Sequence, residues 1–132
     1  MQTNVLEYLE YTVRRLPEKT AFADEEETLS FQQVSDRSRR VGSSLARHGA
    51  YREPVIVYMK KCPSAITAFL GVIYAGCFYV PIDEEMPRRR MELILENTQA
   101  RYLVYDESTQ EDVAELGFTG RALSYGECCA GL

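Results

Sequence analysis

Between Pro54 and Tyr105 three short apolar runs alternate with two stretches of helical spacing, and this rhythm restricts the fold more than any other feature of the sequence. Pro54 to Met59 is an apolar run bounded by turn chemistry, Phe78 to Ile82 is a second, and Arg101 to Tyr105 is a third. Between them Pro63 opens a helix that Gly76 ends, with Ile66, Phe69, Leu70 and Ile73 expected inward. Pro87 opens another, with Met91, Ile94 and Leu95 inward. Strand, helix, strand, helix, strand with continuous apolar strands predicts parallel pairing, the helices serving as crossovers. The predicted fold class is therefore α/β, a three-layer-like parallel βαβαβ unit over residues 54–106.

Residues 1–53 read as helix, hairpin and helix. Asn4-Val-Leu-Glu7 has the form of a capping box, Val5, Leu6, Leu9, Val13 and Leu16 recur at helical spacing, and Pro17 closes the helix. Thr20 to Asp24 and Thr28 to Phe31 predict two strands around the acidic turn Glu25-Glu26-Glu27. Ser30-Phe-Gln-Gln33 is a second capping box, from which a helix runs to about His48, with Val34, Val41 and Leu45 buried and Gly49 as its stop. After Asp106 the pattern weakens into a tail, 107–132, holding a helical turn from Glu111 to Leu116 and a short strand from Ala122 to Tyr125. No linker divides the chain, so its 132 residues read as one domain's worth.

Composition excludes several partners. At 45% hydrophobic and 27% charged the chain belongs with globular domains, and a net charge of −5 argues against nucleic acid. The basic clusters Arg14-Arg15, Arg37 to Arg40 and Arg88 to Arg90 each have acids nearby and no interleaved aromatics on which bases would stack. Cys62, Cys77, Cys128 and Cys129 form no C-x-x-C pair; with the lone His48 they match no common metal-ligand spacing, and reduced thiols in a cytoplasmic protein are the expectation. Met1 is not followed by a basic and then apolar start, so no secretory signal is predicted. Cys62 to Ile82 runs 21 residues without a charge, yet Pro63, Gly71, Gly76 and Pro81 punctuate it. It reads as a buried helix followed by a buried strand and not as a membrane span.

Candidate chemistry is sparse. Gly71-Val-Ile-Tyr-Ala-Gly76 has the two-glycine spacing of a phosphate loop, but Cys77-Phe78 stands where Lys and Ser/Thr are needed, inside a helix whose amides are not free. Neither G-x-G-x-x-G nor G-x-S-x-G occurs. His48 has no hydroxyl or thiol placed beside it by a local pattern and reads as a helix-terminal side chain. Asp83, Glu84 and Glu85 precede a helix whose N-terminus they suit, and Arg88 to Arg90, of the wrong sign for that end, are expected to pair with Glu84, Glu85 or Glu92. No catalytic, cofactor-binding or metal residue is predicted.

The string from Ala75 to Arg90 nevertheless resembles a known motif. Ala75-Gly76, then Phe78-Tyr79-Val80-Pro81-Ile82-Asp83, then Pro87-Arg88-Arg89-Arg90 is similar to the second core motif of the adenylate-forming enzymes, the superfamily of amino-acid adenylation domains and acyl-CoA ligases. Upstream, Thr28 to Val34 resembles the first core motif, Leu-Thr-Tyr-x-Glu-Leu, with Ser30, Phe31 and Gln33 as mild departures, and Arg15 to Asp24 is similar to the family's entry segment. The resemblance covers roughly residues 4–106. Tyr-Val-Pro-Ile-Asp is closer to amino-acid-activating members, including peptide-synthetase adenylation domains and D-alanine ligases, than to fatty acyl-CoA ligases.

The resemblance implies the leading segment of an AMP-forming, ATP- and Mg-dependent ligase that passes its acyl group to a carrier-protein thiol or to CoA. The Ser/Thr/Gly-rich phosphate loop ending in Lys, the ribose-binding acid, the acyl pocket and the catalytic Lys of such enzymes all come later than the portion present here. Gly76, Pro81 and Asp83 are then scaffold: a turn, a strand end, and a cap or ion pair beside the next helix. The segment is expected to pack against the remainder of its parent enzyme and, alone, to self-associate through residues such as Leu9, Phe22 and Phe31, with no nucleic-acid or membrane partner. The alternative is a stand-alone α/β interaction or regulatory domain without catalysis.

Overall fold

Periods of two and of 3.6 residues give way to each other ten times along the described residues. In a computed structural model, which describes residues 5–130, helix α1 (Val5–Arg15) precedes the hairpin β1 (Thr20–Ala23) and β2 (Thr28–Ser30), and α2 (Phe31–Arg47) follows. Then come β3 (Pro54–Tyr58), α3 (Pro63–Tyr74), β4 (Phe78–Ile82), α4 (Arg88–Thr98), β5 (Tyr102–Tyr105), α5 (Gln110–Leu116), β6 (Arg121–Ser124) and α6 (Tyr125–Ala130). The larger sheet has the order β4-β3-β5-β6 and every pairing in it is parallel. β1 and β2 pair antiparallel as a separate two-stranded sheet.

Successive side chains of a strand point to opposite faces, and both faces of this sheet are covered. Val55 and Val57 of β3, Val104 of β5 and Leu123 of β6 point toward α2, α3 and α6. Ile56, Tyr58 and Leu103 point the other way, against Met91 of α4 and Val113 of α5. Burying each such side chain contributes about 1.5–3 kcal/mol, so β3 and β5 carry the centre of the fold. Outside α2 and α3 a third apolar layer joins Leu9 of α1 and Leu29 of β2 to Val34 and Leu70.

Helix ends follow the chemistry of their residues. Ser30 caps α2 reciprocally: its hydroxyl accepts the Gln33 N–H at 3.2 Å while the Gln33 side chain accepts the Ser30 N–H at 2.9 Å. Gly49 and Gly76 end α2 and α3 at φ +93° and +77°. In each case the glycine and the residue after it donate back into the last turn, Gly76 to Ile73 at 2.9 Å and Cys77 to Val72 at 3.1 Å. Gly76→Val is expected to cost more than about 1 kcal/mol, because a β-branched residue is strained at that φ. A urea melt with an unchanged midpoint would exclude it. The cost is conformational and not steric, since an added Cβ meets only the Tyr51 ring, at 3.5 Å.

Helices α2 and α3 cross backbone to backbone. A Cβ on Gly71 would lie 2.5 Å from the Val41 Cβ and 2.9 Å from the Ser38 carbonyl oxygen, and one on Gly42 would lie 2.8 Å from the Tyr74 Cβ. Ser35, Ser38, Thr67 and Ala68 are buried along the same seam. The innermost stripe of α3 is consequently Ala65, Ala68 and Val72, whereas Ile66, Phe69 and Ile73, expected inward, are only half-buried. An all-round apolar helix has no periodicity with which to declare its inner face.

Other expectations are corrected in the same way. β4 is an edge and not a buried central strand: Phe78 is 56% and Tyr79 43% exposed. Pro81, which has no N–H to donate, is tolerated there for that reason. On α1, Leu9 is buried, but Val5 is 50% exposed, and Leu16, just past the helix end, is 46% exposed. Asn4, expected as its cap, lies outside the described residues. Of Leu9, Phe22 and Phe31, expected to hold two copies together, Leu9 is buried in the outer apolar layer, and Phe22 and Phe31 are half-buried against it. In the tail after Asp106 the expected helical turn is α5 and the expected strand is β6, the fourth strand of the sheet, and α6, which was not expected, packs Tyr125 and Cys128 against the core.

Candidate functional site

β3 lies inside the sheet, with β4 on one side and β5 on the other, so the connections after β3 and β5 leave over opposite faces. Open α/β sheets bind their ligands in the crevice at such a reversal, beyond the strands' carboxyl ends. Here the chain fills that crevice itself. The buried Thr109 hydroxyl donates to the Tyr58 carbonyl at the end of β3. Asp106, at the end of β5, accepts the Ser108 N–H at 3.1 Å through its carboxylate.

The N-terminus of α3 is occupied as well. Its N-cap, Cys62, supplies no side-chain bond. Instead Glu27, 37 residues earlier in the hairpin turn, accepts the Ser64 N–H at 2.9 Å and the Ser64 hydroxyl at 2.7 Å. Arg37 of α2 reaches both, at 3.3 Å to the Glu27 carboxylate and 3.3 Å to the Ser64 hydroxyl. Behind them the Thr67 and Tyr125 hydroxyls are 2.6 Å apart. Burial works to lower the Arg37 pKa, but Tyr125 and Glu27 outweigh it and hold the guanidinium above its usual value. Burial pushes the Tyr125 phenol up, so it stays protonated. The cluster ties hairpin, α2, α3 and α6 together through charge-assisted bonds.

The β4–α4 connection repeats the device on a small scale. Asp83 accepts the Glu85 N–H at 3.0 Å through its side chain and the Met86 N–H at 3.0 Å through its carbonyl, with Lys61 at 3.7 Å. A carboxylate therefore holds backbone N–H groups after each of β3, β4 and β5, where a bound phosphate would otherwise collect them. What remains open is an apolar cleft of about 690 Å³ between the hairpin, α3 and β4, lined among others by Phe22, Ile66, Phe69, Tyr79 and Met86. The Phe69 and Tyr79 rings pack at 4.6 Å between centroids.

Other residues weighed from the sequence have structural places. The His48 ring lies 2.8 Å from the Ser44 carbonyl through Nδ1, at the C-terminus of α2. Gly71 to Gly76 runs from the helix crossing to the end of α3. Arg88 bonds the Glu115 carbonyl at 2.7 Å, in the last turn of α5, and none of Arg88 to Arg90 pairs with Glu84, Glu85 or Glu92 among the described residues. Unsatisfied helix-end carbonyls attract a cation as a carboxylate does. All four cysteines are free, and burial raises the pKa of Cys62, Cys128 and Cys129. Among the described residues no cluster of His, Cys, Asp and Glu could hold a metal, and no helix is long and apolar enough to cross a membrane. Glu27, Ser64, Thr109 and Tyr125 escaped sequence reasoning; Ser64, just after the helix-opening Pro63, was a cue for a capped terminus.

A family model described as AMP-binding enzyme matches residues 9–124. The chain is 31% identical over 108 residues to surfactin synthase subunit 3 of Bacillus subtilis (strain 168), covering 81% of this chain and 8% of that protein. It is 33% identical over 94 residues to the D-alanine--D-alanyl carrier protein ligase of Staphylococcus haemolyticus (strain JCSC1435), covering 71% and 19%. Among solved structures, the nonribosomal peptide synthetase FmoA3 bound to α-methyl-L-serine-AMP superposes with a TM-score of 0.84 at 24% identity, over 95% of this chain and 14% of that one. The chain thus spans less than a fifth of each.

Proposed function

The chain belongs to the AMP-binding enzyme family, and from that premise we propose that it is the leading segment of an ATP-dependent ligase. Such a ligase activates an amino acid or another carboxylic acid as its acyl-adenylate and passes it to a carrier thiol. The observation that carries this reading is the family match over residues 9–124, which takes in both motif-bearing junctions, β2–α2 and β4–α4. Similarity to a peptide synthetase and to a carrier-protein ligase supports an amino acid as substrate and a carrier protein as acceptor, with CoA as the alternative acceptor. ATP and Mg belong to residues beyond these in this reading, and its support is that the connections after β3, β4 and β5 each have a backbone N–H already held by a carboxylate, Glu27, Asp83 and Asp106. In this reading no catalytic or cofactor-binding group comes from this chain. Its partner is the rest of the enzyme, and four free cysteines suit the reducing cytoplasm. No observation favours a stand-alone interaction domain.

The reading is tested on the coding sequence beyond Leu132. A frame that continues into a Ser/Thr/Gly-rich loop ending in Lys, whose full product exchanges pyrophosphate into ATP when given an amino acid, is the expected result. A stop codon at that point, or a full-length product that exchanges pyrophosphate with no amino acid and no other carboxylic acid offered, would sink it. The chain by itself is expected to give no saturable heat on titration with Mg-ATP. Saturable binding in the micromolar range would show that phosphate is held here after all.

A further inference from the structure

Beyond that reading, the geometry points to β4 as a self-pairing edge. We propose that two copies of this chain join antiparallel through β4, about a two-fold axis at Tyr79, so that two four-stranded sheets become one.

The hydrogen-bonding capacity of the edge selects this partner. β4 pairs only with β3 among the described residues. Phe78 lies opposite Pro54 and donates its N–H to the Glu53 carbonyl at 3.2 Å. In a parallel ladder alternate residues turn to the same side, so Phe78, Val80 and Ile82 address β3 while Tyr79 and Pro81 turn their backbone outward. Pro81 has no N–H, so Tyr79 offers the only outward donor of the strand. A foreign strand meeting this edge would find a single donor. A second β4 running antiparallel needs no more, because a residue opposite its own copy exchanges both bonds of a hydrogen-bonded pair.

Side chains and charge agree with that register. The two Tyr79 rings come side by side on the α3 face, joining the two apolar clefts across the axis. On the other face Phe78, more than half exposed, lies opposite Val80 of the partner subunit. Arg52, exposed and bonded through its N–H to the Gly76 carbonyl, marks the start of β4, and the exposed Glu84 and Glu85 follow its end. Antiparallel pairing sets each basic end against an acidic one, twice over. A parallel pairing would put like charges together.

The test uses the 132-residue chain. Light scattering on a size-exclusion peak at high micromolar concentration is expected to give a dimer, and hydrogen exchange to show the Tyr79 amide slowed as concentration rises. Phe78→Lys and Tyr79→Lys should yield monomers that remain folded, with the far-ultraviolet circular dichroism of the parent. Arg52→Glu should weaken association by about tenfold or more, and combining it with Glu84→Arg and Glu85→Arg should restore it. A monomer at that concentration would overturn the proposal. So would a dimer that survives Phe78→Lys, or one whose Tyr79 amide exchanges at the monomer's rate. Protection of that amide only on addition of some other polypeptide would assign the edge to a different occupant and overturn it too.

Discussion

Gly71→Val is expected to destabilise the fold by about 3 kcal/mol or more, enough to remove a large part of the stability of a domain this size. The new side chain would begin 2.5 Å from the Val41 Cβ and 2.9 Å from the Ser38 carbonyl, so the collision is with backbone and with the root of a side chain. No rotamer change relieves it, and α2 and α3 must move apart. That movement would open the seam of Ser35, Ser38, Thr67 and Ala68 and withdraw Val41 and Val72 from the sheet. Gly71→Ala should fail by the same route to a lesser degree. Urea unfolding checks both, and a Gly71→Val midpoint within error of the parent would mean that the helices do not touch there.

Glu27→Ala is expected to cost about 2 kcal/mol, although Glu27 sits in a turn of three acids at the surface. One carboxylate serves three groups: the Ser64 N–H, the Ser64 hydroxyl and the Arg37 guanidinium. Its removal leaves the start of α3 uncapped and Arg37 without its anion. Glu27→Gln keeps an acceptor for the helix and loses the charge, so it should recover part of the deficit. Glu25→Ala and Glu26→Ala, on residues exposed in the same turn, should be nearly silent. Thermal melts of the four variants decide it: equal effects at all three acids would reduce Glu27 to bulk surface charge.

The contrast between those acids shows what the sequence made legible. Whatever was decided within a few residues could be read: the Ser30 capping box, the glycine stops at Gly49 and Gly76, the apolar strands at Pro54 and Tyr102. What depended on a distant partner could not. Glu27 read as part of a solvated turn because Ser64 is 37 residues away. Phe-Tyr-Val-Pro-Ile read as a buried strand because its composition is that of one, and only the strand order makes it an edge. α3 is apolar on all sides, so its inner face is set by the close approach of its Gly71 to Gly42 of α2 and not by its apolar pattern. The polar clamp was illegible for the same reason, whereas the motif from Ala75 to Arg90 was contiguous and could be recognised.

Glu27, Asp83 and Asp106 supply from within the chain what a bound phosphate supplies in many other α/β folds. Folding of this stretch therefore waits for no nucleotide. On the ribosome, a nascent chain can close Glu27 onto Ser64 while β4 is still emerging, and pair the four strands of the larger sheet once β6 is out. Its buried strands then pass through the crowded cell as apolar polymer only briefly, which is when such strands aggregate.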